Sequence, residues 1–367
     1  MRILFSLLFI AASLSGFSQG LSLNLSGVLP GTLSETSGLA ITPAGKLWSH
    51  NDSGNDPNIY QISSGGSILR TLHIDNAQNV DWEDLASDDQ GQIYIGDFGN
   101  NSNNRQDLKI YRIGNPDMLS GDTTSAEVIS FQYANQGMFP PDPSEWNFDC
   151  EAFFWHNDSL YLFTKNRTNP FNGYTNMYRI PADTGNHTAV LVDSFFTGLG
   201  LEEQYWIGAA DISPDGKRMV LLGYDKLWLF HCYAGSHFFK GGVREMSLGG
   251  LSQKEAVAFL NQSELFITDE EFFISGKNLY KTDLHPWSDS LNLSLGDTIR
   301  SSANIEILDA GYPGGKYLWN TGDTTQTIDI TQNGNYVLNM ELNGCKAQDS
   351  VFVTVTVGLD EMKKPAF

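Results

Sequence analysis

Acidic side chains recur in one local setting along this chain. Glu83 opens Glu83-Asp-Leu-Ala86 and is followed fourteen residues later by Asp97; Glu151 opens Glu151-Ala-Phe-Phe154 and is followed at the same spacing by Lys165; Glu255 opens Glu255-Ala-Val-Ala258 and is followed by Asp269. Ser37 and Asn51 hold the same two places in another copy, and Gly208 holds the first place in a weaker one that runs through Asp211 to Leu222 with one residue inserted. Carboxylates gathered within a few ångströms cannot all ionise without a counter-charge. Three outcomes stay open: a hard cation, Lys165 and Arg167 as internal partners, or a carboxyl held protonated. Oxygen donors without Cys or clustered His favour Ca²⁺ over zinc or copper, with Glu35, Glu83, Glu151 and Glu255 as the expected ligand set. A carboxylate such as Glu83 or Glu151, working as a base beside that ion, would suit hydrolysis of a lactone or a phosphoester. The competing reading is structural: a Glu at the start of a strand accepts backbone N–H groups from a neighbouring sheet.

Around these places stand the residues expected to meet a ligand: His50, Asn51, Asp52, Trp82, Asp97, Asn100, Lys165, Arg167, Asp269 and Glu270. Trp82 and Trp206 each precede a repeat and could stack a sugar ring or a base, against the alternative of plain packing. His50 is the one histidine placed by the repeat, as an acid/base group or as a hydrogen-bonded structural residue. Asp52-Ser-Gly-Asn-Asp56 resembles a calcium loop in its first letters, yet it lacks the later Glu of an EF-hand and reads as a turn. The sequence contains no GxSxG elbow, no HExxH and no GxxxxGK[ST] loop.

What must position these groups is a set of strands. Each copy continues into short runs rich in β-branched and aromatic residues, such as Ile93-Tyr-Ile-Gly96, Lys109-Ile-Tyr-Arg-Ile113 and Leu160-Tyr-Leu-Phe163, bounded by Gly, Asn, Asp and Ser. Four-stranded sheets repeated in this way describe the blades of a β-propeller. The expected class is all-β: a propeller of five blades, with six as the alternative. The five-bladed form is closed by the strand-like Leu21–Val28; a sixth blade would have to lie in the insertion between Ala134 and Asn147. In an antiparallel hairpin the start of one strand and the end of the next share a rim, so the repeat residues are expected at one channel mouth.

The chain has 367 residues, with 22 Lys+Arg against 43 Asp+Glu for a net charge of −21. Such a balance repels phosphate backbones and anionic lipid, which argues against nucleic acid as a partner. The length points to two domains. Residues 1–18 read as an export signal: Arg2, an apolar run from Ile3 to Leu14, and small residues at Gly16 and Ser18. No later run approaches the ~20 apolar residues of a membrane span. The expected division is signal 1–18, propeller 19–290, a β-sandwich at 291–357 and a tail at 358–367. An exported protein is expected, extracellular or at the cell surface with the periplasm as the other destination, whose partner is an extracellular ligand such as a carbohydrate or another small molecule. Three cysteines allow at most one pair, and Cys345, with no second cysteine in its own module, is expected to be a free thiol.

Two resemblances follow from particular wording. Tyr317-Leu-Trp-Asn-Thr-Gly-Asp-Thr-Thr-Gln-Thr-Ile328, Asn333-Gly-Asn-Tyr336 and Asn343-Gly-Cys345 resemble the immunoglobulin-like or PKD-like modules of secreted and surface proteins in the Bacteroidetes. In that family such a module often precedes a sorting tail for type IX secretion, and Val357-Gly-Leu-Asp-Glu361 looks like the approach to one. Leu47-Trp-Ser-His-Asn-Asp-Ser-Gly54, Asp81-Trp-Glu-Asp-Leu-Ala86 and Ile95-Gly-Asp-Phe-Gly-Asn-Asn101 resemble a group of exported bacterial propellers, distantly similar to gluconolactonase, NHL-repeat and phytase-like propellers. That likeness implies the fold and leaves the reaction open. The expected function is that of an exported binding or scaffold protein whose propeller mouth recognises a ligand, with the sandwich as spacer; a Ca²⁺-dependent hydrolase of lactone or phosphoester substrates is the alternative.

Overall fold

The computed structural model describes residues 19–271, 276–285, 291, 293–301, 306–342 and 345–355. The expected export signal at 1–18 and the tail at 358–367 lie outside the described residues. Among the described residues the only helical elements are short 3₁₀ turns, and no helix is long and apolar enough to cross a membrane.

Strands follow one another as antiparallel meanders. The first unit runs Thr36–Ile41, Leu47–Asn51, Asn58–Ile62, Ile68–Ile74; the second Trp82–Ser87, Ile93–Asp97, Lys109–Ile113, Glu127–Tyr133; the third Asp149–His156, Ser159–Lys165, Tyr174–Pro181, Gly185–Phe196. The fourth runs Ala209–Ile212, Arg218–Leu222, Lys226–His231, Gly242–Ser247, and the fifth Lys254–Phe259, Glu264–Asp269, Asn278–Asp283. The outer strand of the fifth unit comes from the other end of the sequence: Asn24–Val28 pairs antiparallel with Asn278–Asp283, Asn24 opposite Lys281. The first strand of each unit touches the first strand of the next, and Lys254–Phe259 returns to Thr36–Ile41, so the ring closes in the manner of a β-propeller. Residues 134–147 carry one 3₁₀ turn, Pro143–Glu145, and no strand.

Why the inner strands read as nearly unbroken apolar runs is visible in the packing. Successive side chains point to opposite faces of a strand, and here both faces are covered by neighbouring units. Phe153 and Leu162 pack with Phe98, Phe131 and Tyr178 between the second and third units; their sequence neighbours Phe154 and Phe163 pack with Met219, Trp228 and Phe230 between the third and fourth. Separate cores of the same kind lie between the first and second units around Trp48 and Trp82, between the fourth and fifth around Leu229 and Ile267, and between the fifth and first around Leu39 and Phe266.

The C-terminal part forms two small sheets, one of Thr298–Ser301, Cys345–Val355, Gly334–Leu342 and Lys316–Trp319, the other of Glu306–Asp309 and Thr327–Ile330. They share one core of Leu308, Trp319, Ile330, Leu338, Met340, Val351 and Val353. The same core takes in Cys232 of the fourth unit. Cys345 is not the free thiol expected from its sequence: it forms a disulfide with Cys232, across 113 residues, with Cα atoms 5.7 Å apart. The partner lies in a different sheet system, which is why spacing within the module could not reveal it. Cys150 is the remaining, buried thiol.

Candidate functional site

The repeat acids sit at irregularities in the ladder. Pairing of the first two strands slips between Thr36 and Gly38, between Trp82 and Leu85, between Cys150 and Ala152, and between Lys254 and Ala256. The residues without a cross-strand partner there are Ser37, Glu83 with Asp84, Glu151 and Glu255. A bulge bends its strand and re-aims the extra side chain. In the fourth unit the pairing of Ala209–Ile212 with its neighbour shows no slip, and Gly208 stands where the acid would be.

These side chains meet at one end of the ring. Lys165 Nζ is 3.1 Å from Glu151 Oε2 and 5.6 Å from the centre of the Tyr224 ring, and the Tyr224 hydroxyl donates to Glu255 Oε1 at 2.9 Å. Lys165 therefore spans the sector of the fourth unit that lacks a carboxylate. Arg167 donates from Nε to Asp149 Oδ2 at 2.8 Å, lies 3.4 Å from Glu151 Oε1, and stacks on Trp206 at 4.7 Å. Next to these pairs, carboxyl oxygens of Asp52, Asp81 and Glu83 lie within 4.8 Å of one another. Glu83 is 4% exposed, and among the described residues no N–H or O–H reaches its carboxylate. Gly99 backs this group closely: a Cβ there would collide with Glu83 Oε1 and stand 2.5 Å from Asp81 Oδ2.

Crowding and burial shift these acids upward. Burial is the main cause throughout. Asp52 is pushed up to about 8, with Glu151, Glu255 and Asp81 adding to burial against its own loop N–H from Ser53. Asp81 rises to about 6, helped by Asp149 and opposed by Arg105, and Asp149 to about 7, helped by Glu151 and opposed by Arg167. Glu83 lies well above the ordinary carboxylate range, with Glu151, Asp52 and Asp81 reinforcing its burial. Glu270 reaches about 10 through burial and the neighbouring Glu255. Burial pulls Lys165 down, but Glu151, Tyr224 and Glu255 outweigh it and hold the ammonium charged.

Several expected ligand residues are spent on structure. His50 is completely buried, donates from Nδ1 to the Asn51 carbonyl at 2.8 Å, stands edge-on to Trp82 at 5.6 Å, and is lowered to about 4 by burial, so it is a neutral packing residue. Trp82 is equally buried, packed in the core between the first and second units with its Nε1–H on the Gln78 carbonyl at 3.0 Å. Asn51 ties the loop before it, donating to the Thr32 carbonyl at 2.7 Å. Asp97 is enclosed by Arg105 at 2.9 Å and Lys109 at 4.0 Å. Asn100 accepts the N–H groups of Asn104 and Arg105 at 2.8 and 2.9 Å and donates to the Phe148 carbonyl. Asp269 receives Asn278, Tyr280 and Ser252. Glu35 is exposed and accepts from Asn55 at 2.6 Å. The four glutamates Glu35, Glu83, Glu151 and Glu255 do not form one ligand set: Glu151 is committed to Lys165 and Arg167, and Glu255 to Tyr224.

The residues that sequence reasoning missed are Asp81, Asp149 and Tyr224. Asp81 and Asp149 each stand two places before a repeat glutamate, a shared D-x-E spacing that alternation along a strand turns towards the same side. Tyr224 carries no such signal. The expected structural role of the repeat glutamates falls instead to two aspartates: Asp84 Oδ2 accepts the N–H of Phe153 at 3.1 Å, and Asp211 Oδ2 that of Phe259 at 2.7 Å, each from the next unit.

No family model matches the chain, and no curated protein matches it by sequence. Among solved structures it is similar to the PQQ-bound form of an aldose sugar dehydrogenase from Streptomyces coelicolor, at 12% identity over 71% of this chain and 98% of that one, with a TM-score of 0.40. A streptogramin B lyase is similar at 12% identity over 72% and 98%, TM-score 0.38, and a putative gluconolactonase at 11% over 68% and 74%, TM-score 0.39. These are propeller-type proteins of three different activities, and at such identities none of those activities carries over.

Proposed function

We propose that this is an exported binding protein: a five-bladed propeller whose carboxylate-rich mouth recognises a ligand, with Ca²⁺ held by Asp52, Asp81 and Glu83, and with the C-terminal sheets as an immunoglobulin-like spacer. The observation that carries this reading is the Glu83 carboxylate, 4% exposed, without a donor among the described residues, and within 4.8 Å of two further carboxyl groups. Three carboxyl groups held this close repel one another when ionised, and a cation shared by their oxygens removes that repulsion. Ca²⁺ takes six to eight oxygens, so three carboxylates leave positions that ligand hydroxyls or water can fill. The disulfide supports export, because such bonds persist in oxidising compartments; the extracellular space, the cell surface or the periplasm would each serve.

The second reading is Ca²⁺-dependent hydrolysis of a lactone or phosphoester. What favours it is Asp81, half-buried at the mouth and raised to about 6 by burial and Asp149, in the range where a general base works. Calorimetric titration of chelator-stripped protein with CaCl₂ tests the main reading: one equivalent should bind, and Glu83→Gln, folded by circular dichroism, should lose it. Absence of binding, or equal binding in the variant, overturns the calcium site. Turnover of a lactone or phosphate ester that disappears in Asp81→Asn would replace the binding role by the hydrolytic one.

A further inference from the structure

Beside the mouth, between the fourth and fifth units, lies a cavity of about 760 Å³ that shares Trp206, Tyr224 and Glu270 with the carboxylate cluster. Its walls are largely apolar, with the rings of Trp206, Tyr224 and Tyr280 and the side chain of Leu251. The polar groups divide into spent and unspent. Lys254 is buried, and its ammonium reaches three acceptors: the Tyr224 carbonyl at 2.9 Å, the Gly250 carbonyl at 3.1 Å and Ser252 Oγ at 2.9 Å. An ammonium has three protons to give, so Lys254 has none left for a ligand. By contrast, Glu203 Oε2 and Glu270 Oε1 are shielded from water and receive no hydrogen bond. Burial and repulsion from Glu255 beside it keep a proton on Glu270 in the ligand-free protein, and a bound cation would release that proton to solvent.

We infer that this cavity binds an organic cation, an ammonium or guanidinium group on an apolar stem, whose N–H groups are accepted by Glu203 and Glu270 and whose stem packs on Trp206, Tyr224 and Tyr280. A buried acceptor left unpaired is costly, and a charged donor satisfies it most strongly. Aromatic faces attract cations, and the Trp206 ring already carries Arg167 at 4.7 Å and Lys165 at 5.3 Å. An anionic ligand would meet carboxylates and a lysine with no proton to offer. The inference rests on the reading of the mouth as a ligand site and is independent of the calcium ion.

Titration of the full-length protein with phenethylammonium chloride, followed by tryptophan fluorescence and calorimetry in saturating CaCl₂, tests it against the neutral 2-phenylethanol and the anionic phenylacetate. Phenethylammonium should saturate at one equivalent and bind at least about tenfold more tightly than 2-phenylethanol, the loss expected for a charge-assisted hydrogen bond. Glu203→Gln and Glu270→Gln should each remove about that tenfold. Leu251 is 54% exposed, so Leu251→Lys should fold normally and abolish amine binding by placing a cation at the cavity. Equal binding of amine and alcohol, tighter binding of phenylacetate, lack of saturation, or wild-type amine affinity in Leu251→Lys would each overturn the inference. Amine binding that persists where CaCl₂ gives no heat would sink the calcium reading alone, whereas Ca²⁺ binding without amine binding would sink this one.

Discussion

The Cys232–Cys345 bond should be worth several kcal/mol, and its size follows from the length of chain it closes. The two cysteines are 113 residues apart. In the chain-entropy model a loop of that length removes about 16 cal/mol/K from the unfolded ensemble, or about 5 kcal/mol at 25 °C, with about 2–4 kcal/mol being the usual measured yield. Cys345→Ala should therefore lower the free energy of urea unfolding by about 2–5 kcal/mol, and Cys232→Ala by the same amount, because either change removes the same closure. The loss should fall on the transition that includes the core around Trp319, since Cys232 is packed into it. A thiol count on unfolded, unreduced protein comes first: one thiol, that of Cys150, is expected before reduction and three after it. Three thiols without reductant would refute the bond. One thiol together with unchanged unfolding of both variants would refute the entropic reasoning, since the loop would then be closed equally well by noncovalent packing.

The remaining predictions concern the mouth and the channel. Gly99→Ala changes no charge but drives a methyl against Glu83 and Asp81; Ca²⁺ affinity measured by calorimetry should fall about tenfold or more, about 1.4 kcal/mol, and wild-type affinity would mean that these two carboxylates do not share an ion. Lys165→Met strips the charge between Glu151 and Glu255, with the ion-pair side chains 6% and 5% exposed; breaking a buried pair from one side should cost about 3–5 kcal/mol of unfolding free energy, and a loss below 1 kcal/mol, on the scale of about 0–1 kcal/mol for a surface pair, would show the pair to be solvated. Asp211 is raised by burial from 3.8 to about 7, so the folded protein holds its proton more tightly than the unfolded chain. That contribution is complete at acidic pH and is lost as pH rises from the unfolded value through about 7. Asp211→Asn, which can still accept the Phe259 N–H, should therefore gain on wild type between pH 4 and 8, by up to about 4 kcal/mol for a shift of this size; a pH-independent difference in urea unfolding would contradict it.

Strand positions and the gathering of Glu83, Glu151 and Glu255 were legible because both depend on period. Alternating apolar runs between Gly, Asn and Asp turns dictate strands locally, and a spacing of fourteen in an antiparallel hairpin returns its ends to one rim. The ligand set was not legible, because it depends on which way each side chain turns once the units pack. Asn51, Asp97, Lys165 and Asp269 hold the same place in four repeats, yet they do four different things. Asp97 is claimed by Arg105 and Lys109, Asp269 by Asn278 and Tyr280, and Asn51 by the Thr32 carbonyl. Only Lys165 reaches into the mouth, past the unit where Gly208 leaves the acid position empty.

The sequence by itself determined the repeated hairpins, the buried apolar stripes and the acidic excess, since each is a property of neighbours along the chain. Tertiary structure alone decided that Asp52, Asp81 and Glu83 stand together, that His50 and Trp82 are packing, and that Cys232 finds Cys345. The physical reason is one of range: backbone pattern is set within a few residues, whereas counter-charges, donors and sulfur partners are chosen from whatever the closing ring brings within a few ångströms.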